Sequence, residues 1–256
     1  MQAIHSFNHT LWQGPFDPGL LSLVQSADYT SLLPKLNALA VQRRLVTGQG
    51  KPSRFVPQAQ LPCGQSYEAF IAQTGCVPTR DNFHDRYNAL IWLTAPKIKA
   101  LLNRLQHEEI ARLGGVTKRG PVRDALTIWD ENLAVLVAHE HAGLLKALLK
   151  AHDWQALFLQ NRFRWHADWQ VLLFGHALME KLRSPFKAIT AHVVVIDSPT
   201  AEWPAIDSML FDWLSNLVQQ AALTPKVFLP LPVMGIPGWC GENEAPEFYE
   251  DTRVFR

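Results

Sequence analysis

Hydrophobic and polar positions repeat with a helical period along most of the chain. Apolar residues recur every three or four positions, and Gly, Pro and capping residues separate the repeats, a pattern typical of short amphipathic helices. The predicted helices cover 20–27, 30–43, 66–74, 82–94, 98–113, 142–151, 154–160, 169–182 and 204–222. We interpret the chain as a single domain over residues 1–256, with residues 1–60 as a helical N-terminal extension packed on it.

Two stretches have a β-type composition instead. Residues 125–137 carry two apolar runs around Asp130, Glu131 and Asn132, which are turn-forming residues, and this arrangement predicts a β-hairpin. Residues 191–196 form a short apolar run that predicts a buried strand paired with the hairpin. The Pro- and Gly-rich end, from Pro225 onward, predicts an ordered coil over the surface. The fold class is therefore α+β, a helix-rich single domain with a small antiparallel sheet.

The segment PTRDNFHDRYNALIW, residues 78–92, places an unusual polar stripe on a predicted helix. Asp81 can cap this helix. At about 100° per residue, His84, Asp85 and Asn88 then fall within roughly a third of the circumference. A solvated face would carry Lys, Glu and Gln, whereas this stripe uses short hydrogen-bonding side chains and ends in Trp92. We therefore expect another element to cover it.

His84, Asp85, Asn88 and Asp124 are the catalytic candidates. Such side chains can serve as a general base, as an orienting carboxylate or as hydrogen-bonding partners of a substrate. Neighbouring His84 and Asp85 diverge by about 100° on a helix, so each must work with residues elsewhere. A buried polar network that pins the helix to the hairpin explains the same residues equally well.

The metal candidates are His176, Glu180 and His192. His176 and Glu180 lie four residues apart on the predicted 169–182 helix, on the same face as several apolar residues, so we expect both to be at least partly buried. A buried carboxylate needs a partner, which a divalent metal or an ion pair can provide. His192 lies in the apolar strand and would be a third ligand if it converged on them. The alternatives are a structural ion pair and a hydrogen-bonded core histidine.

Composition narrows the possible partners and the location. The net charge of +1 argues against nucleic acid as a partner, although residues 97–123 are basic and the C-terminal tail is acidic. Three cysteines give no disulfide framework, which favours a reducing compartment. The chain shows neither a signal-type start nor an apolar run of about eighteen residues, so we expect a cytoplasmic protein that does not enter a membrane. Diagnostic nucleotide-binding, nucleophile-elbow and zinc motifs do not occur.

Four segments resemble a bacterial family catalogued as domain of unknown function 3025. They are PTRDNFHDRYNALIW at 78–92, RGPVRDALTIWDEN at 119–132, FGHALMEKL at 174–182 and LPVMGIPGW at 231–239. The resemblance covers most of the chain from Pro78 onward and implies one continuous domain. It implies no activity, cofactor or catalytic residue.

The residues thus favour a hydrolase-type enzyme that acts on an unknown small molecule. In this hypothesis one pocket gathers the His and carboxylate candidates, and a divalent metal held by His176, Glu180 and His192 activates a water molecule. The competing hypothesis is a non-catalytic protein that binds a protein or RNA partner, in which the polar clusters are structural. The sequence does not determine the substrate or the oligomeric state.

Overall fold

A computed structural model describes residues 2–115 and 119–256, so Lys118 of the basic segment lies outside the described residues. The α-helices are α1 (His9–Gln13), α2 (Pro18–Ser26), α3 (Tyr29–Gln42), α4 (Tyr67–Thr74), α5 (Phe83–Thr94), α6 (Pro96–Leu113), α7 (Pro121–Asn132), α8 (Ala142–Ala151), α9 (His176–Lys181) and α10 (Trp203–Gln219). The strands are β1 (Arg54–Pro57), β2 (Cys76–Thr79), β3 (Leu133–Ala138), β4 (Trp169–Leu173), β5 (Thr190–Asp197) and β6 (Leu229–Pro232). The helix-rich α+β class is therefore confirmed.

The chain forms two compact units, each assembled from separate segments. We call the first the sheet unit; it comprises residues 2–15, 131–202 and 226–256. The second, which we call the helical unit, comprises residues 16–115, 119–130 and 203–225. Residues 16–60 contribute α2, α3 and β1 to the helical unit.

The sheet unit is built on four strands in the order β4-β3-β5-β6. The central pair, β3 and β5, is parallel, with Val135 opposite Val194, whereas β4 and β6 run antiparallel to their neighbours. The expected antiparallel sheet is therefore a mixed sheet. All six residues of β3 are buried, which explains why this strand is an uninterrupted apolar run.

The predicted hairpin at 125–137 is wrong in its first half. Residues 121–132 form helix α7, and only the second half, β3, is a strand. Ala125, Leu126 and Trp129 are buried on one face of α7 at helical spacing. Pro121 begins this helix, a position where its fixed φ is favourable. The β-type residues near Ile128 suggested a strand, but the helical period of the buried face decided the structure.

The predicted helix at 169–182 is also wrong in its first half. Residues 169–173 form β4, and the helix begins only at His176. Gly175 lies between the two and donates a hydrogen bond to the carbonyl of Leu133 at 2.7 Å. A Cβ at position 175 would lie 2.5 Å from backbone atoms of Glu131 and Asn132, so the chain turns where only glycine fits. A short apolar run such as WQVLLF does not by itself distinguish a strand from a buried helix.

The C-terminal coil belongs to the core of the sheet unit. Asn243 donates hydrogen bonds to the carbonyls of Met234 and Ile236 at 2.8 and 2.7 Å, and Tyr249 donates one to Gly235 at 3.0 Å. The ring of Tyr249 stacks on Phe158 with a centroid distance of 5.6 Å. The coil is therefore held by buried hydrogen bonds and aromatic contacts, and does not merely cover the surface.

The helical unit places α5 and α6 at its centre. The helix α4 packs on α6, α2 packs on α5, and α10 packs along α6. Pro96 begins α6, where the carboxylate of Asp207 accepts hydrogen bonds from the backbone N–H groups of Lys97 and Ile98 at 3.0 and 2.9 Å. An α10 side chain thus caps α6 in place of a local residue.

Among the described residues, no helix combines the length and apolar character that crossing a membrane requires.

Candidate functional site

The first turn of α5 is held by a dense set of structural hydrogen bonds. Asn82 caps the helix by accepting from the backbone N–H of Asp85 at 2.8 Å. The Asp85 carboxylate accepts from the Arg80 backbone at 2.6 Å and from its guanidinium at 2.9 and 3.0 Å. Asp81, which the sequence suggested as the cap, accepts from Arg86 at 2.6 Å instead. Asp85 therefore stabilises the entry to α5.

A buried polar cluster lies between α4, α5, α6 and α7. We call it the Lys99 cluster; its members are Tyr67, Glu68, Asn88, Lys99, Asn103 and Asp130. Lys99 is at its centre: its ammonium group donates to Asn88 Oδ1 at 2.8 Å and to the carboxylate of Asp130. The Asn88 amide donates in turn to the Tyr67 hydroxyl at 2.9 Å. This network links all four helices.

Asn103 and Glu68 form a second hydrogen-bonded pair of the same cluster. Its Nδ2 donates to the Glu68 carboxylate at 2.6 Å and to the Glu68 carbonyl at 3.0 Å. Burial, followed by the negative charge of Asp130, raises the pKa of Glu68 to about 7, against the lowering effects of Asn103 and Lys99. Glu68 is therefore poised to take up or release a proton near neutral pH.

The tyrosine and the lysine differ in what they can contribute. Burial and the nearby carboxylates raise the pKa of Tyr67 well above its usual value, so its hydroxyl stays protonated and acts as a hydrogen-bonding group. The Lys99 ammonium also lies 5.4 Å from the centre of the Trp92 ring, a cation–π contact. An ammonium has three protons, and two of them go to Asn88 and Asp130.

The cluster borders a narrow internal crevice. Its walls include Tyr67, Glu68, Trp92, Lys99 and Asn103, and it is too narrow to admit a water-sized sphere. Two buried polar atoms at its walls, Trp92 Nε1 and Asn103 Oδ1, have no hydrogen-bond partner among residues 2–115 and 119–256. These side chains belong to residues that are only 1% and 2% exposed. A donor and an acceptor are thus buried beside Glu68.

The other catalytic candidates in the helical unit are not among the six members that define the Lys99 cluster. His84 is half-buried in the first turn of α5. Asp124 is in the first turn of α7, where its carboxylate accepts from Arg119 at 2.8 Å with both side chains largely exposed. Of the four catalytic candidates, Asn88 is the member of the Lys99 cluster, through its hydrogen bonds with Tyr67 and Lys99.

The three metal candidates belong to the sheet unit. His176 is buried at the start of α9, but Glu180 is exposed, so the expected burial of this carboxylate is wrong. The cause is the short helix. Residues 169–173 form β4, so the apolar helical face on which Glu180 was expected to lie does not exist. The role of these residues as metal ligands stays a prediction, as does the single pocket.

His192 lies on β5 with its ring held by a neighbour. Nδ1 of His192 lies 2.9 Å from the amide nitrogen of Asn132, which is a donor, so Nδ1 accepts and the ring proton is on Nε2. Burial, followed by the charge of Lys181, lowers the pKa of His192. A metal binds a neutral imidazole through an unprotonated ring nitrogen, but here Asn132 occupies Nδ1 and Nε2 carries the proton, so metal binding to His192 would require this hydrogen bond to rearrange.

Another group of three has the spacing of metal ligands. The ligand atoms of Glu140, His141 and Asp168 lie within 4.8 Å of one another, the single such group found in residues 2–115 and 119–256. Asp168 also accepts from Arg164 at 2.7 Å, and Glu140 lies 3.6 Å from the His141 ring. Arg164 already supplies a cation to Asp168, Glu140 and His141 are exposed, and the group contains none of the predicted ligands.

Sequence reasoning missed Tyr67, Glu68, Lys99 and Asn103, and assigned Asp130 to a turn. A signal was present in α6, where Lys99 and Asn103 are four residues apart beside the apolar positions Ile98 and Leu102. A lysine within a buried helical face needs a carboxylate partner, and Asp130 provides it. The partner lies 31 residues away, so the spacing along the chain could not identify it.

Comparison with known protein families identifies the family of this chain. The family model for a protein of unknown function, DUF3025, matches residues 53–256. The chain belongs to the DUF3025 family. No curated protein matches this chain, and no solved structure matches it. The matched region of this DUF3025 member contains the entire Lys99 cluster and both β-sheets.

Proposed function

We propose that this DUF3025 protein is a hydrolase-type enzyme in which Glu68 is the general base of the Lys99 cluster. The observation that carries the proposal is the Glu68 carboxyl group, whose pKa of about 7 suits it to accept a proton at neutral pH. Asn103 holds this carboxyl group, and Lys99 and Asp130 supply a fixed charge pair in the same crevice. Perturbed acids in crevices are frequent at active sites.

In the proposed reaction, Glu68 removes a proton from a water molecule. The water oxygen forms a bond to the electrophilic carbon or phosphorus of the substrate, and the bond to the leaving group breaks. Protonated Glu68 then returns its proton to the leaving group, so the carboxylate is regenerated. The third proton of the Lys99 ammonium and the Trp92 Nε1–H stabilise the negative charge that develops on the substrate oxygen.

Access to the crevice would come from the α4 side. Tyr67 and Glu68 are half-buried, whereas Lys99, Asn103 and Trp92 are at most 3% exposed. The crevice excludes even a water-sized sphere, so substrate entry requires α4 to move away from α6. Enclosure of this kind strengthens electrostatic interactions once the substrate is bound.

Two measurements test the proposal. Carbon-13 NMR titration of the Glu68 carboxyl group should give a pKa of about 7, and a value near that of an ordinary glutamate would refute the role of general base. A panel of chromogenic ester, amide and phosphoester substrates should then reveal an activity that Glu68→Gln abolishes. Glu108→Gln, an exposed carboxylate on the same unit, is the matched control and should leave the activity unchanged.

The metal-dependent form of the hypothesis is a separate proposal. It places a divalent cation on His176, Glu180 and His192, supported by the i,i+4 spacing of the first two within α9, and it requires the His192 ring to exchange its hydrogen bond with Asn132 for the metal. Elemental mass spectrometry of protein purified without a His-tag should show near-stoichiometric metal that disappears in His176→Ala. Metal-free protein of normal stability would assign these residues a structural role.

We also propose a cytoplasmic location in a bacterial cell, supported by three free cysteines, of which two are buried. Cell fractionation checks this location.

If Glu68 titrates normally and the substrate panel shows no turnover, the alternative of a non-catalytic protein that binds a protein or RNA partner is favoured.

A further inference from the structure

A second, open site lies on the other side of α6 from the Lys99 cluster. Between α6, α10 and the turn at Gly48 is a groove of about 570 Å³, within the size range of small-molecule sites. Its walls are Gly48, Lys97, Ala100, Leu101, Arg104, Ser208, Phe211 and Asp212. We call it the α6–α10 groove.

The helices present these side chains by regular spacing. Lys97, Leu101 and Arg104 recur at i, i+4 and i+7 on α6, and Ser208 and Asp212 at i and i+4 on α10. The Lys97 ammonium donates to Ser208 Oγ at 2.8 Å, which fixes one end of the groove.

The turn at Gly48 forms a tight wall. A Cβ at this position would lie 2.4 Å from the Ala100 carbonyl oxygen and 2.5 Å from Arg104 Cβ. Only glycine allows the backbone to approach α6 this closely.

The charges of the groove are largely available to a ligand. The Arg104 guanidinium has one ion-pair contact among the described residues, to Glu108 at a long 3.9 Å with both side chains exposed, and its Nε has no hydrogen-bond partner there. Such a contact contributes little. The Asp212 carboxylate is exposed and forms no hydrogen bond or ion pair within residues 2–115 and 119–256. Two cations and one anion therefore face one groove.

The apolar part of the groove completes the pattern. Phe211 is 37% exposed, a large ring left open to solvent beside Leu101 and Ala100. A ligand that matches all of these groups carries a carboxylate for Lys97 and Arg104, an ammonium for Asp212 and an apolar side chain for Phe211.

We propose that the α6–α10 groove binds a free amino acid with an apolar side chain. The site is independent of the hydrolase proposal, because it uses the opposite face of α6 and none of the Lys99 cluster residues. An anion alone would be repelled by Asp212, and a cation alone by Lys97 and Arg104, so the zwitterion is the best match in charge.

Titration calorimetry with L-phenylalanine tests the proposal, with 3-phenylpropionate and phenethylamine as analogues that lack the ammonium and the carboxylate. We expect L-phenylalanine to bind saturably and each analogue to bind at least about tenfold more weakly. Equal binding of an analogue, or no saturable binding of L-phenylalanine, would overturn the proposal.

Paired variants locate the site. Arg104→Gln and Asp212→Asn should each weaken binding of L-phenylalanine by about tenfold, whereas Lys35→Gln and Asp197→Asn, exposed charges outside the groove, should not. The Gly48 amide resonance of the wild type should shift on titration, a readout that needs no substitution. An unchanged affinity in Asp212→Asn, or a static Gly48 resonance, would contradict the assignment.

Discussion

Lys99 and Asp130 form an ion pair inside the helical unit, where their side chains are only 4% and 12% exposed. Removing two charges from water costs several kcal/mol per ion, and their mutual attraction offsets this cost only with good geometry and further hydrogen bonds. Here Asn88 supplies one of those bonds, at 2.8 Å from the ammonium. The pair is therefore the electrostatic centre on which the arrangement of α5, α6 and α7 depends.

Breaking this pair from one side should be strongly destabilising. We expect Asp130→Asn or Lys99→Met to lower the free energy of unfolding by about 3–5 kcal/mol, because each leaves a buried group without its partner. The double variant should cost less than the sum of the single ones. Urea denaturation measures all three. Arg119→Gln, which removes the exposed pair with Asp124, is the control and should lower the free energy of unfolding by no more than about 1 kcal/mol. If the effects of the two single variants at Lys99 and Asp130 simply add in the double variant, the expectation is contradicted.

Glu68 should make stability depend on pH. Its pKa is raised from 4.5 in the unfolded chain to about 7 in the folded protein. The folded state therefore holds the proton more tightly, and this contribution is complete below pH 4.5 and is lost as the pH rises through 7. Compared with Glu68→Gln, the wild type should lose at most about 3 kcal/mol across this window. Parallel denaturation curves of the two proteins at several pH values measure it; a constant difference would refute the raised pKa.

Gly175 should not tolerate a side chain. In Gly175→Ala the new Cβ would lie 2.5 Å from the Asn132 nitrogen and the Glu131 oxygen, which are backbone atoms that cannot move aside cheaply. We expect a loss of about 1–3 kcal/mol in stability. Gly143→Ala is the matched control: nothing lies within 4 Å of that position in α8, and alanine favours the helix. Thermal unfolding compares the two, and equal effects would show that the close contact is not limiting.

Asn132 should control the ionisation of His192. Burial and Lys181 lower the pKa of this histidine, so the folded protein favours the neutral ring. The associated stability is complete above 6.5, the ordinary pKa of histidine, and is lost as the pH falls through the lower pKa of the folded protein. In the wild type the Asn132 amide nitrogen lies 2.9 Å from Nδ1 of His192. Asn132→Asp puts a carboxylate at this place, and because a negative charge stabilises the imidazolium, the pKa of His192 should rise above that of the wild type. NMR titration of the ring nitrogens measures it; an unchanged or lower pKa would contradict the hydrogen bond.

For most elements, the regular repeat of one apolar face determined the structure from the sequence. The helices from α2 to α6, the helix α8 and the strand β5 follow predicted boundaries closely, because apolar spacing and terminal signals are local properties. Gly75 and Gly114 end α4 and α6 in the left-handed conformation that few other residues adopt readily. The family resemblance, confirmed over residues 53–256, is likewise a property of the sequence.

Only the tertiary structure decided the pairings. The apolar runs in α7 and β4 were ambiguous as isolated segments; in the fold, β4 pairs with β3, and α7 buries Trp129 and Asp130 on one face. The Lys99 cluster draws residues from 67 to 130 together. Periodicity identifies which face of a helix is buried. The partner of a buried charge depends on how distant elements pack against each other, and the pattern along one sequence does not contain this information. The stripe on α5 therefore predicted a covered polar cluster, while Glu68 and Lys99, the groups with the chemistry, became visible only in the folded unit.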